Sequence, residues 1–196
     1  ALYLMVGLVI VGVALLVLTV VREMHAIPRL IEQPPLKTSV WPRLSVVIPA
    51  RDEAETLGPA VTSLLGVDYP ELEVILVNDR SSDGTGTLME RLAQDDARVE
   101  VLHVSDLPEG WLGKVNAMNV GTAKATGAFI LFADADVVYR PEALRHAVSW
   151  MERDALDHLA VLPAIPSKSL MAEAVIGCFG AGFLTHFRPS RINRGE

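Results

Sequence analysis

Three short apolar runs, each closing on acidic or polar residues, constrain this chain more than any other feature. Residues 44–48 run into Pro49-Ala50-Arg51-Asp52-Glu53. Residues 73–77 run into Asn78-Asp79-Arg80-Ser81-Ser82-Asp83-Gly84-Thr85, and residues 128–133 into Asp134-Ala135-Asp136. Runs of this length and β-branched content read as buried strands. In an open α/β sheet the edge where strands run out is where ligands bind. Carboxylates gathered there can hold a divalent cation through oxygen, and the cation can in turn hold a diphosphate.

Helical spacing fills the gaps between the runs. Leu57, Val61, Leu64 and Leu65 set a helix over 53–65, and Asp68-Tyr69-Pro70 breaks it. Helices are also expected over 85–92, with Asp83 as cap, over 115–125, and over 142–151, where Pro141 stands at the start. Further strands are expected over 99–104 and, last, over 159–162. Strands alternating with helices imply a mostly parallel sheet with right-handed crossovers. The class is α/β, a Rossmann-like sheet flanked by helices over 44–165, with no internal repeat or low-complexity tract.

Residues 1–21 carry no charged side chain. At about 1.5 Å per residue such a helix spans roughly 30 Å, the thickness of a bilayer core. The apolar stretch is too long for a signal peptide and lacks a cleavage site. Arg22, Arg29, Lys37 and Arg43 follow it, so the positive-inside tendency puts the N-terminus outside and the rest in the cytoplasm. Residues 22–43, with Pro28, Pro34, Pro35 and Pro42, read as a semi-extended linker. In the last segment, 166–196, residues 170–187 are apolar around Glu173 and His186. They read equally as an interfacial helix resting on a bilayer or as a core helix beneath the sheet.

A net charge of −7 over 196 residues argues against a nucleic-acid partner. The single cysteine, Cys178, excludes an internal disulfide and suits a reducing compartment, and its apolar surroundings predict buried packing. The chain starts at Ala1 and stops at Asn193-Arg194-Gly195-Glu196, which reads as a fragment trimmed at one or both ends.

Each polar segment has two readings. Asp134 and Asp136 can turn toward one magnesium or manganese ion, or they can solvate a turn and cap a helix. Asp79 can accept a hydrogen bond from a base N–H, while residues 81–85 also make sense as a turn and helix cap. Pro49, Ala50, Arg51 and Glu53 can line a base pocket or form an ordinary strand-to-helix turn with acids at a helix start. Lys114, in Gly110-Trp111-Leu112-Gly113-Lys114, can approach a phosphate or the base as a point charge, or be a solvated loop lysine.

Other chemistries fail on spacing. No Gly-x-Gly-x-x-Gly follows the first strand, and Gly113-Lys114 lacks the rest of a phosphate loop. His25, His103, His146, His158 and His186 are scattered without zinc spacing, and no nucleophile elbow is present.

Together these segments resemble glycosyltransferase family 2, inverting enzymes of GT-A fold. Residues 45–53 are similar to the family's opening strand and turn. Residues 77–85 resemble its Asp-Asp-Gly-Ser-x-Asp-Gly-Thr stretch, with Asn78 for the first Asp and Arg80 for Gly. Asp134-Ala135-Asp136 matches its Asp-x-Asp, and Gly110 to Lys114 resembles a membrane-bound subgroup acting on lipid acceptors, as in hopanoid, carotenoid or ceramide-type glycosylation.

The resemblance implies a nucleotide-diphosphate-sugar donor, often UDP-linked, and a lipid or glycan hydroxyl as acceptor. It implies a Mn2+ or Mg2+ ion held mainly by Asp136 with Asp134 nearby, Asp79 on the base, and Arg51 and Lys114 near base or phosphates. Attack from the face opposite the leaving group inverts the anomeric carbon and needs a general base. The family's base is an Asp in a later acidic motif. After Asp136 the chain has only Glu142, Glu152, Asp154, Asp157, Glu173 and Glu196, none in that context, so the base is expected beyond residue 196. Residues 188–193 resemble the lead-in to the acceptor half. A non-catalytic membrane-tethered nucleotide-binding module and a nucleotidyltransferase are the alternatives that share this sheet.

Overall fold

The computed structural model describes residues 2–36, 38, 40–165, 167 and 169–192, with Arg191 and Ile192 described by their backbone alone. Ala1, Lys37 of the basic flank, and Asn193 to Glu196 lie outside these residues. In chain order the elements are α1 (Leu2–His25), a 3-10 turn (Leu30–Glu32), β1 (Leu44–Ala50), α2 (Leu57–Leu65), β2 (Leu72–Asp79) and α3 (Thr85–Asp95). Then follow β3 (Val99–Val104), α4 (Gly113–Thr122), β4 (Phe129–Phe132), α5 (Ala143–Asp154), α6 (Leu170–Phe187) and α7 (Pro189–Ile192). They divide into two units, Gln33–Ala160 and the pair Ala1–Glu32 with Val161–Glu196.

The Gln33–Ala160 unit is an α/β domain around one parallel sheet of order β3-β2-β1-β4. Val46 pairs with Val74 on one side and Leu131 on the other, so β1 is central. Side chains alternate across a strand. Val46, Ile48, Val74 and Leu76 therefore pack with Leu57, Val61 and Leu64 of α2, Met89 of α3, and Leu144 and Val148 of α5. Val47, Ile75 and Val77 form the opposite layer with Ala117 of α4. Cover on both faces explains why β1 and β2 read as unbroken apolar runs. Gly121 lets α4 lie this close, since a Cβ there would sit 2.4 Å from Val47 Cγ1.

The packed unit starts before β1. Trp41, 6 % exposed, stacks edge-on against Tyr69 with centroids 5.5 Å apart, and the Arg145 guanidinium lies 5.1 Å over its ring. Leu36 N–H donates to the buried Ser149 hydroxyl at 2.8 Å. The proline-rich stretch is extended, yet its second half is held by the domain.

Most element ends shift by a few residues from the sequence expectation, and two departures have a clear cause. α2 starts at Leu57 because the Glu53 and Ala54 amides are engaged by Thr85 Oγ1 and Asp83 Oδ2, at 2.8 and 3.2 Å. The strand expected over 159–162 is absent. Val161 and Leu162 are exposed, and among the described residues no strand pairs with them. So short a run gains nothing as a strand without a hydrogen-bonding neighbour.

The other unit contains α1 and α6. α1 has 24 residues and a mean hydropathy of 3.1, and α6 has 18 residues and 1.4. Both are long and apolar enough to cross a membrane, and only 6 % of the α6 window is buried. Most of the α6 side chains are uncovered. Cys178 is exposed on it, against the expectation of burial, because its apolar neighbours belong to an uncovered helix rather than to a core. At the end of α1 the fully buried Glu23 carboxylate accepts from Arg22 Nη2 at 2.8 Å and from the Ser190 amide and hydroxyl at 3.0 and 2.9 Å.

Candidate functional site

The carboxyl ends of β1, β2 and β4 open into one cleft of about 330 Å³. Its walls are Pro49, Ala50, Arg51 and Glu53 from the end of β1 and its loop, Asp79 from the end of β2, Lys114 from the start of α4, and Asp134, Ala135 and Asp136 after β4. The structure therefore brings together all nine residues singled out in the sequence. Parallel strands all point their carboxyl ends to the same edge, so residues far apart in the chain converge there.

The loops after β1 and β2 are tied to each other. Asp52 takes a left-handed backbone with φ 56°. Its carboxylate accepts from the Ser82 amide at 2.7 Å and hydroxyl at 3.2 Å, while its own amide donates to Ser81 Oγ at 3.1 Å. Asp83 accepts from the Thr85 amide at 2.9 Å and the Thr85 hydroxyl, which holds its carboxyl below the usual range. The N-cap position of α3 is Gly84 rather than Asp83 as expected; Asp83 bonds the first amide of the helix from one residue earlier and, through Ala54, braces the β1 loop as well.

In the cleft wall, Asp79 is buried at 4 % exposure and accepts from Arg80 Nε, which lies behind it, at 2.8 Å. Asn78 Oδ1 accepts from the Ser81 amide at 3.2 Å, and its amide group donates to His103 Nδ1 at 2.9 Å. His103 Nε2–H then donates to Glu90 at 2.7 Å, which fixes the end of β2 from its outer side.

At the mouth, Lys114 Nζ donates to Asp134 Oδ1 as an ion pair. Asp136 is exposed to the cleft. Tyr139, which was not foreseen, lies near this corner; burial, and then the charge of Asp134, push its phenol up to about 12. The lining carries four carboxylates, Glu53, Asp79, Asp134 and Asp136, against the two cations Arg51 and Lys114. A diphosphate entering such a cleft needs positive charge brought with it.

Among the described residues no group of three or more His, Cys, Asp or Glu side chains converges as a metal cage. The donors available are the oxygens of Asp134 and Asp136. This set fits a hard cation such as Mg2+ or Mn2+, which is commonly bound through one or two carboxylates with substrate phosphates and water. The Lys114 ammonium seated on Asp134 shows that this carboxylate already accepts a cation.

Parallel sheet, loop-borne cleft and oxygen-only acidic corner define an α/β protein with its candidate site at the carboxyl edge of the sheet. Residues 45–170 match the profile of Glycosyl transferase family 2, and the chain belongs to that family. A mannosyltransferase from Pyrobaculum calidifontis, solved with GDP-Man and Mn2+, superposes with a TM-score of 0.59 at 24 % identity, covering 74 % of this chain and 42 % of that one. S. aureus TarS 1-349, in complex with UDP-GlcNAc, superposes with a TM-score of 0.51 at 23 % identity, covering 61 % and 37 %. The Beta-monoglucosyldiacylglycerol synthase of Synechocystis is 29 % identical over 160 residues, covering 78 % of this chain and 33 % of the relative. The chain spans less than half the length of the curated relatives it matches.

Arg80, Asp52 and Ser82 were not singled out as site residues from sequence. Asp52 and Ser82 meet only through tertiary structure, and nothing in the local pattern announces their bond. Arg80 carried a signal, because a bulky residue stood where the family has glycine.

Proposed function

We propose that this chain is the donor-binding portion of a membrane-anchored, metal-dependent inverting glycosyltransferase. Its donor is a nucleoside-diphosphate sugar, UDP-linked, and its acceptor the hydroxyl of a lipid or glycan. The observation that carries this reading is the convergence of Asp79, Lys114, Asp134 and Asp136 from four separate segments on one cleft. The family membership supports it, as do nucleotide-sugar complexes of two structural neighbours and the lipid substrate in the name of one relative.

In this reading Pro49, Ala50, Arg51 and Glu53 form the base pocket and Asp79 accepts from a ring N–H. Asp134 and Asp136 hold a Mn2+ or Mg2+ ion, which when bound neutralises the departing diphosphate. Lys114 leaves Asp134 and adds its charge to the phosphates. The acceptor oxygen attacks the anomeric carbon opposite the diphosphate, inverting it, and a base takes the hydroxyl proton. Among the described residues no acid from beyond Asp136 lines the cleft. α1 crosses the membrane, with the Arg22, Arg29 and Arg43 side in the cytoplasm. α6 lies at the same membrane, where an apolar surface suits a lipid acceptor.

Calorimetric titration with UDP, UDP-sugars and GDP-mannose, with and without Mn2+, tests the reading. Metal-dependent binding of a UDP-sugar that disappears in a folded Asp136→Ala variant is the expected result. Nucleotide affinity indifferent to both metal and Asp136 would overturn it.

A further inference from the structure

Arg80 bears two local costs at once. Its backbone is left-handed, with φ 57°, a region that disfavours a side chain of its size. Its Nη2 is enclosed, with no hydrogen-bond partner among the described residues. Strained backbone and an unpaired buried donor together mark a residue kept for something other than local stability. What Arg80 does make is the 2.8 Å bond from Nε to Asp79 Oδ1.

Gly113, the first residue of α4, closes the other side of this pair. A Cβ there would stand 2.5 Å from Asp79 Oδ2 and 2.9 Å from Arg80 Nη2, so any larger residue would strike both. The carboxylate is thus held between a guanidinium on Oδ1 and a bare backbone beside Oδ2. Asp79 lines the cleft, whereas Arg80 does not. The turn that carries Arg80 is pinned on its far side by the Ser81 amide on Asn78 and the Ser81 hydroxyl on the Asp52 amide.

We propose that Arg80 is a positioning residue for base recognition: it fixes one oxygen of Asp79 from behind the cleft wall, so that the other is presented to a ring N–H of the donor nucleotide. The proposal rests on the donor-site reading above and adds a residue that touches no ligand. Glycine at this position would relieve the backbone but release the carboxylate, which in a buried setting loses its only adjacent guanidinium partner.

The test is a double-mutant cycle on UDP affinity in the full-length protein in detergent, with R80G, D79N and the pair, and R80K as the conservative variant. Each single variant is expected to weaken UDP by about tenfold, and the double variant by little more than either. R80K lies between R80G and wild type, since an ammonium supplies charge without the fixed fork. Wild type prefers UDP over N3-methyl-UDP, which lacks the ring N–H, and R80G loses that preference. If D79N weakens UDP while R80G does not, or if their effects simply add, the positioning role is overturned and the donor site stands. If D79N leaves UDP affinity unchanged, base recognition by Asp79 falls, and this role falls with it.

Discussion

Asp52 and Ser82 lock two sheet-edge loops together: one carboxylate oxygen accepts from both the amide and the hydroxyl of Ser82, at 2.7 and 3.2 Å. The loop after β1 and the loop after β2 are thereby joined into one wall of the cleft.

Cutting this lock should loosen the wall before it unfolds the domain. Asp52→Ala is expected to cost about 1–2 kcal/mol in denaturant unfolding, from a charge-assisted bond and a left-handed backbone that alanine tolerates poorly. Asp52→Asn should retain most of that stability, because asparagine accepts the same bond and adopts the same backbone. Donor affinity should fall in the same order, and equal affinity in all three proteins would show that the lock is irrelevant to the site.

Lys114 occupies the carboxylate that the proposed metal needs. Lys114→Ala should therefore bind bare Mn2+ more tightly than wild type, several-fold by electron paramagnetic resonance titration, while binding UDP more weakly. Opposite signs are the signature of a cation that competes for Asp134 and assists the phosphates. Loss of both would mean that Lys114 merely supports the fold.

At the far end of the sheet, Glu73 contributes to acid stability. Burial raises its carboxyl, but bonds from Ser45, Thr126 and Arg43 outweigh burial and hold it down to about 2. A carboxyl lower in the folded state than in the unfolded one stabilises fully above the unfolded value of 4.5. That contribution disappears as pH falls from 4.5 toward 2. Melting temperatures measured across this window should drop further for wild type than for Glu73→Gln, which lacks this one titrating group.

Trp41 predicts where the domain can be cut. It is buried against Tyr69 and Arg145, so Trp41→Ala should cost about 3–5 kcal/mol. A fragment of residues 33–160 should unfold cooperatively. One starting at residue 44 should melt lower by a comparable free energy, and equal melting of the two would show that Trp41 packs without consequence.

Much of this was readable before any coordinates. Periodicity located all four strands of the sheet, since Val46 to Ile48 and Val74 to Val77 are apolar on both faces and flanked by turn residues. The nine cleft residues were readable because parallel strands deliver their carboxyl ends to one edge by topology alone. What escaped depended on partners distant in sequence. The start of α2 is delayed by amides committed to Thr85 and Asp83, and the run at 159–162 has the composition of a strand without a neighbour. Trp41 looked like part of a tether because its ring finds Tyr69 only after the chain has folded. Cys178 misled for a related reason, since an apolar stretch is the same sequence whether or not a core covers it.

The strand order sets a timetable for synthesis. β1 is made before the other strands yet lies between β2 and β4, and β4 is the last of the four to be made. While β2 and β3 can join it early, one edge of β1 stays bare until residues 129–132 have left the ribosome. An apolar strand with an open edge invites pairing with other chains. The nascent domain therefore spends most of its translation in its most aggregation-exposed form, and slowing translation just before β4 should lower the yield of folded protein more than the same delay placed after it.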